Sequence, residues 1–338
     1  MRIELNAAPG EREMARIAVL VSNPCTGDAR VIKMARAAAK NGHEVHVFAT
    51  AAAHVKSYER HDGVTYHRLE WRPGTHLTAS GPLAILSRLS RRSAGLIIRR
   101  VAPFVKYSLF RKVFADAVAA LKPDLIHAHD LICLPAAHSA AEACAARLVY
   151  DAHELEVHRY PPLPWLQKLM VGHVERKYAR KADAVITVGR LVAKELSRHL
   201  RRDDITIVYN SPEIASCRHS IRKDLRIDDA TPLLLYVGKV TEGRGVRMML
   251  DLLPQIPDAV LAAVGPSDAR TKAQLEAHAV RRGLDTRFHV LPPVPADQVV
   301  QYIRGADLGV ISSEIVALSY RFAMPNKLFE MSFADVPI

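Results

Sequence analysis

Short runs of β-branched and other apolar residues recur along this chain between longer stretches whose apolar positions return every three or four residues, the alternation of parallel βαβ units. Strands are expected over 17–22, 44–49, 64–68, 124–128, 148–151, 184–188 and 205–209, with helices over 28–40, 104–121, 135–146, 164–180 and 190–200 among them. Asn41-Gly42 suits the C-cap of the first helix. After Asn210-Ser-Pro-Glu213 and a polar segment at 216–230, the alternation resumes with strands near 233–237, 260–264, 287–291 and 307–312. With no short-period repeat, two similar halves predict two doubly wound α/β, Rossmann-like domains facing a cleft, not a solenoid. The expected boundaries are a disordered leader at 1–14, a first domain at 15–212 and a second at 213–338.

A chain of 338 residues, 49% hydrophobic, can bury two such cores. Its 47 Lys and Arg exceed 35 Asp and Glu, giving a formal charge of +12 that favours anionic partners. Nucleic acid, anionic lipid and nucleotide sugar all satisfy that balance. The four cysteines (Cys25, Cys133, Cys144 and Cys217) have neither zinc-site nor disulfide-framework spacing, which points to a reducing cytosol. The charged start, Met1-Arg-Ile-Glu-Leu-Asn, lacks the apolar core of a signal peptide, and no run reaches a membrane span. Met14 is a candidate alternative start.

Open α/β sheets bind ligands beyond the carboxyl ends of their strands. In the first half these ends carry Asn23-Pro-Cys-Thr-Gly27-Asp28, His127-Ala-His129-Asp130 and Asp151-Ala-His153-Glu154. The loop around Gly27 lacks the three-glycine dinucleotide spacing, which disfavours hydride transfer. Gly27 also suits a turn of positive φ, and Asp28 a helix cap. Strand alternation puts His127 and His129 on one face. His127 reads as a buried, hydrogen-bonded histidine, whereas His129, expected further out, reads as a ligand-facing imidazole. Asp151 also suits a helix cap. No metal-binding His or Cys spacing occurs, and no metal is expected.

In the second half the strand ends carry Gly238-Lys239, then Arg244-Gly245, then Gly265 and the segment from Glu314 to Glu330. Lys239 and Arg244 bound a glycine-rich loop suited to two phosphates, although such pairs are also often merely solvated. Pro325 at a helix start, Asn326 and Lys327 in the first turn and Glu330 one turn on would point polar groups at an anion from a helix N-terminus.

Ser319-Tyr-Arg-Phe-Ala-Met-Pro-Asn-Lys-Leu-Phe-Glu330, followed by Val336-Pro337, resembles the corresponding segment of the retaining GT-B glycosyltransferases of family GT4. The His-x-His-Asp and Asp-x-His-Glu segments resemble that family too, so the resemblance runs from Ile17 to Ile338. It implies a GT-B fold with an incomplete second domain, and a hexosyltransferase-type enzyme without cofactor or metal. The donor would be a nucleotide-diphosphate sugar and the acceptor a glycan or lipid-linked molecule, in cell-surface polysaccharide or glycolipid synthesis. Gly27, Gly238, Lys239, Arg244, Gly265, Asn326, Lys327 and Glu330 would hold the donor, with Glu330 on the ribose. His129 would contact the sugar, with His153 and Glu154 near the acceptor. The implied location is cytoplasmic, peripheral on the inner face of the plasma membrane.

Two departures bear on this. The family's Glu-x7-Glu motif has its first acid where this chain has Phe322, and the chain carries Lys239 and Arg244 where the family usually has Arg then Lys. A nucleotide-sugar epimerase and a non-catalytic GT-B-derived binding protein are the rival readings. Reading the end as a truncation, the resemblance implies a poorly supported Glu330 helix. Finally, 83–112 gathers cations around apolar residues with no acid among them. It suits either an interfacial helix on an anionic membrane or a solvated basic helix; nucleic acid is not favoured, because few aromatics interleave.

Overall fold

The computed structural model describes residues 14–71, 91–312 and 317–338, with 91–104 described by backbone alone. The leader at 1–13, residues 83–90 of the basic segment and Glu314 lie outside the described residues. The chain divides into two compact units, Met1–Val208 and Tyr209–Ile338, where the sequence suggested 212/213.

In the first unit the strands are β1 (Arg16–Leu20), β2 (Glu44–Thr50), β3 (Tyr58–His61), β4 (Val64–Leu69), β5 (Leu125–His129), β6 (Arg147–Ala152), β7 (Ala184–Thr187) and β8 (Ile205–Ile207). They form one sheet in the order β3-β4-β2-β1-β5-β6-β7-β8, parallel except for the antiparallel β3–β4 pair. Its helices are α1 (Ala29–Lys40), α2 (Arg91–Ala120), α3 (Asp130–Cys144), α4 (Trp165–Ala179) and α5 (Arg190–Leu200). Val19, Val21, Val45, Val47 and Val64 bury one face against Val31 and Ala35 of α1. The strand order reverses between β1 and β5, so the carboxyl ends of those strands open a crevice.

Within this unit β3 was not expected. Its residues are largely exposed and polar, so no apolar alternation marks it. Helix α3 begins at Asp130, not at Pro135, which lies inside it. Proline fits a first turn best, which is why it read as a start, but here burial of Leu131 through Ala137 carries the helix through it.

The second unit contains α6 (Ile221–Leu225), β9 (Leu233–Val237), α7 (Val246–Leu252), β10 (Val260–Val264), α8 (Ala269–Arg281), β11 (Phe288–Leu291), α9 (Val299–Ile303), β12 (Leu308–Gly309), α10 (Leu318–Arg321) and α11 (Asn326–Phe333). The strands form a parallel sheet in the order β11-β10-β9-β12. Alternate residues of β9 and β10 feed two cores, one with Val300, Ile303 and Met331, the other with Val246, Leu250 and Leu275. Helix α6 interrupts the segment read as polar, anchored by fully buried Ile221.

Helix α11 is well supported, contrary to expectation. Met331, Ala334 and Val336 are buried, and the Gly309 N–H donates to the Pro337 carbonyl at 2.7 Å. A Cβ on Gly309 would lie 2.0 Å from the Met331 sulfur, so the glycine lets α11 approach β12 closely. This packing sets the position of Lys327 and Glu330.

Candidate functional site

At the carboxyl ends of β5 and β6, the parallel register pairs His129 with Asp151. Arg30, on the second position of α1, donates from Nε to Oδ2 of Asp151 at 2.8 Å and from Nη2 to Oδ1 at 2.9 Å. Its Nη1 donates to the Val208 carbonyl at 2.9 Å. Both partners are buried, Asp151 fully. A buried guanidinium and carboxylate hold each other in this planar two-bond geometry because neither is tolerated alone.

Three imidazoles gather on the same carboxylate. Oδ2 of Asp151 lies 3.4 Å from His129 Nδ1, 3.4 Å from His153 Nε2 and 3.7 Å from His127 Nε2. His129 Nδ1 and His153 Nε2 are hydrogen-bonded at 3.0 Å, and His153 Nδ1 lies 3.4 Å from Asp130 Oδ1. The His127 and His129 rings are 4.2 Å apart. Nε2 of both is buried without a hydrogen-bond partner among the described residues.

The electrostatics follow from this geometry. Burial disfavours the Asp151 carboxylate, but the nearby imidazoles of His127 and His153 and the bonds from Arg30 outweigh it and hold its pKa far below the usual carboxylate range. Burial, then the neighbouring His127, push His129 well below the ordinary histidine value. For His153 burial is outweighed by the bond to Asp151 and the charges of Asp130 and Asp151, and its pKa is raised. Ligand-type atoms of His127, His129 and Asp151 all lie within 4.8 Å of one another, a spacing that suits a metal ion. The donor set fits a metal poorly, however, because Arg30 already takes both oxygens of Asp151 and adds a fixed positive charge.

Several expectations for this unit change. His129, not His127, is the more deeply buried: α3 starts one residue after it and β6 lies beside it, leaving it 0% exposed against 8% for His127. Asp151 caps no helix, because its carboxylate is committed to Arg30. Asp28 does cap α1, accepting from Val31 N at 3.3 Å, and Asn23 Nδ2 donates to it at 2.8 Å. The left-handed residue of that loop is Cys25 (φ 53°), not Gly27. Gly27 has nothing within 4 Å of where a Cβ would sit, so neither sterics nor φ requires it. Glu154 is exposed.

The sequence reading missed Glu156, in a 3-10 turn at Glu156–His158. Burial, with the charges of Asp130 and Glu175, pushes its pKa up to about 7, and Arg159, 3.6 Å away, is its one ion partner among the described residues. It also missed Arg30. The available signal was a cation beside Val31 on the apolar stripe of an amphipathic helix.

In the second unit the strand order reverses at β9, between β10 and β12. Gly238 (φ 117°) ends β9 and Gly265 (φ 148°) ends β10. A Cβ on Gly265 would lie 2.1 Å from the Gly238 carbonyl oxygen, so these two strand ends meet backbone to backbone. Above them Lys327, on the second position of α11, is 8% exposed, with Nζ 3.8 Å from the Tyr236 ring centroid. Its Cε approaches the Cβ position of Gly238 to 3.4 Å. Burial, then Arg244, lower the Lys327 pKa to about 8, with Glu330 opposing. Arg244 stacks over Tyr320 at 5.7 Å, and its carbonyl accepts from Ser312 Oγ at 2.9 Å.

Gly238, Gly265, Arg244, Lys327 and Glu330 are thus brought to one end of this sheet. Lys239 enters by its backbone, its carbonyl accepting from Tyr236 OH at 3.0 Å, while its side chain is exposed. Asn326 is exposed and accepts from Asn210. Buried Lys327 and half-buried Arg244 and Glu330 thus gather at the glycine-lined strand ends, an arrangement suited to a phosphorylated, hydroxyl-bearing ligand.

Residues 27–211 match the glycosyl transferase 4-like domain, and residues 218–318 match the glycosyl transferases group 1. The chain therefore belongs to the glycosyl transferase 4-like family. A D-inositol 3-phosphate glycosyltransferase of Xylanimonas cellulosilytica is 27% identical over 210 residues, covering 56% of this chain and 50% of the relative. A putative colanic acid biosynthesis glycosyl transferase, WcaI of Escherichia coli, is 24% identical over 73% of this chain and 63% of its own length. The chain spans about half the length of the first of these relatives. Among solved structures, sucrose-phosphate synthase from Thermosynechococcus elongatus superposes with a TM-score of 0.62 at 17% identity, over 90% of this chain and 78% of that one. Anabaena HepE in complex with UDP and glucose gives 0.61 at 18% identity, over 88% and 74%. These likenesses establish the fold as GT-B, two Rossmann-like α/β units.

Proposed function

We propose that this chain is a retaining glycosyltransferase that moves a sugar from a nucleotide-diphosphate sugar to a glycan or lipid-linked acceptor. The observation that carries this reading is the cluster in the second unit, where Lys327 lies against the Gly238 strand end with Arg244 acting on it. A buried ammonium with a depressed pKa is a costly arrangement that an arriving anion relieves. In transfer, the bond from the anomeric carbon to the diphosphate oxygen breaks with its electron pair on the diphosphate. A bond to the acceptor oxygen forms, and the acceptor hydroxyl passes its proton to an oxygen of the departing diphosphate. Charge therefore grows on the diphosphate, and the two cations stabilise it where it grows.

In this reading Glu330 accepts from the ribose hydroxyls, and Asn326 and the backbones of Gly238, Lys239 and Gly265 border the donor. His129 contacts the transferred sugar, with Gly27 beside the donor and His153 and Glu154 near the acceptor. No metal is required, because cationic side chains do the work a divalent ion would do. Both the HepE structure with UDP and glucose and the relatives named as glycosyltransferases support a nucleotide-sugar donor. The likeness to WcaI, a putative colanic acid biosynthesis enzyme, supports a place in polysaccharide synthesis. Among the described residues no helix is long and apolar enough to cross a membrane.

Incubating the chain with UDP-glucose and other nucleotide-diphosphate sugars, with and without candidate acceptors, and reading the anomeric configuration of the product by NMR tests the reading. Acceptor-dependent release of nucleoside diphosphate with an unchanged anomeric configuration supports it. Inversion contradicts it, as does sugar isomerisation without transfer.

A further inference from the structure

The histidine cluster of the first unit contains more order than contact with a sugar needs. His153 is held between two carboxylates, Asp130 Oδ1 at 3.4 Å from Nδ1 and Asp151 Oδ2 at 3.4 Å from Nε2. That setting favours a hydrogen on each ring nitrogen. His129 has the opposite surroundings: its full burial, then His127, His153 and Arg30, oppose a second proton on the ring, and Asp151 is the charge that favours one. Across the 3.0 Å contact between them, one nitrogen must donate and the other accept.

We propose that Arg30 and Asp151 are positioning residues that lock one hydrogen-bond order, in which His153 Nδ1 donates to Asp130 and His153 Nε2 donates to His129 Nδ1. The hydrogen of His129 is then fixed on Nε2, the buried atom that has no hydrogen-bond partner among the described residues. His129 so prepared is a donor aimed at a neutral ligand oxygen, such as a sugar hydroxyl; this ligand class rests on the glycosyltransferase reading. The raised pKa of His153 and the lowered pKa of His129 agree with that order. The two-bond grip of Arg30 keeps the Asp151 carboxylate charged and in plane, so its free edge stays against both imidazoles.

The test uses the ligand-free chain and so stands apart from any activity. In long-range 1H–15N spectra of 15N-histidine protein at pH 7, assigned with His129→Gln and His153→Gln, His129 is expected to show a protonated Nε2 and a bare Nδ1. His153 is expected to be protonated on both nitrogens. The groups facing the pair are Arg30, Asp151, His127 and Asp130, with Asp28 and Glu154 acting on Asp130. Asp151→Asn keeps the shape but loses the charge, so it should strip a proton from His153 and leave His129 in mixed tautomers. A wild-type His129 with its hydrogen on Nδ1 overturns the proposal, whether or not the variant folds. So does a folded Asp151→Asn chain with both patterns unaltered.

Discussion

Arg30 and Asp151 stand 121 positions apart in sequence yet meet through two hydrogen bonds of 2.8 and 2.9 Å, buried at the edge of the crevice between β1 and β5. The pair ties α1 to the end of β6 and sets the charge on which three histidines depend. Removing one partner leaves an uncompensated buried charge, so Arg30→Ala or Asp151→Ala should cost about 3–5 kcal/mol of unfolding free energy. The double substitution Arg30→Met with Asp151→Leu should cost less than either single alanine. Urea unfolding of the three variants checks this, and additive losses would contradict it.

Glu156 carries a stability cost that depends on pH. Its folded pKa of about 7 lies above the ordinary 4.5, so between these values the folded chain holds a proton that the unfolded chain has released. Stability contributed by this group is therefore lost as pH rises from 4.5 through 7. Glu156→Gln should raise the unfolding free energy by about 1–3 kcal/mol at pH 8 and hardly change it near pH 4.5. Thermal melts of both proteins across that window decide it.

Much of the scaffold was legible because each βα unit writes its own local pattern. Strands β9 and β10 sit where their apolar runs fall, Leu233–Val237 and Val260–Val264, since both faces of a covered parallel strand must be apolar. The exposed β3 gives no such signal, and α6 shows its purpose only in how Ile221 packs. The glycines and cations of the second unit were visible as a cluster, because strand ends and a helix start converge at one end of a parallel sheet. What the sequence could not reveal were relations across long separations: Arg30 with Asp151, the burial order of His127 and His129, and Lys327 against Tyr236.

Lys327 should make nucleotide binding pH-dependent. Its pKa of about 8 in the free chain lies below the ordinary 10.5, and a bound diphosphate raises it, so binding above pH 8 takes up a proton. The facing groups are Tyr236, Arg244 and Glu330. Affinity for UDP should fall as pH rises from 8, by at most roughly tenfold per pH unit. Lys327→Met should bind more weakly at pH 7 and lose this dependence. Calorimetry at pH 7, 8 and 9 reads both effects; an equal slope in the variant would assign the dependence to another group.

The basic segment at 83–112 should bring the chain to anionic vesicles in a salt-sensitive way, since its cations act over about 8–10 Å at physiological salt. Arg111 and Lys112 at its end are exposed. Co-sedimentation with phosphatidylserine vesicles at low and high salt checks this. Absence of binding at low salt would leave its cations merely solvated.

If Arg244 and Lys327 of the second unit hold a nucleoside diphosphate, calorimetric titration of UDP, ADP and GDP into the wild-type chain at pH 7 will show it. At least one of the three should bind saturably. Arg244→Ala and Lys327→Met should each weaken it by about 1–3 kcal/mol, the range of a charge-assisted bond. Lys239→Ala, whose side chain is exposed, should lose less than either. Wild-type protein that binds none of the three diphosphates, or binding that survives both Arg244→Ala and Lys327→Met unchanged, would contradict a diphosphate site at these residues.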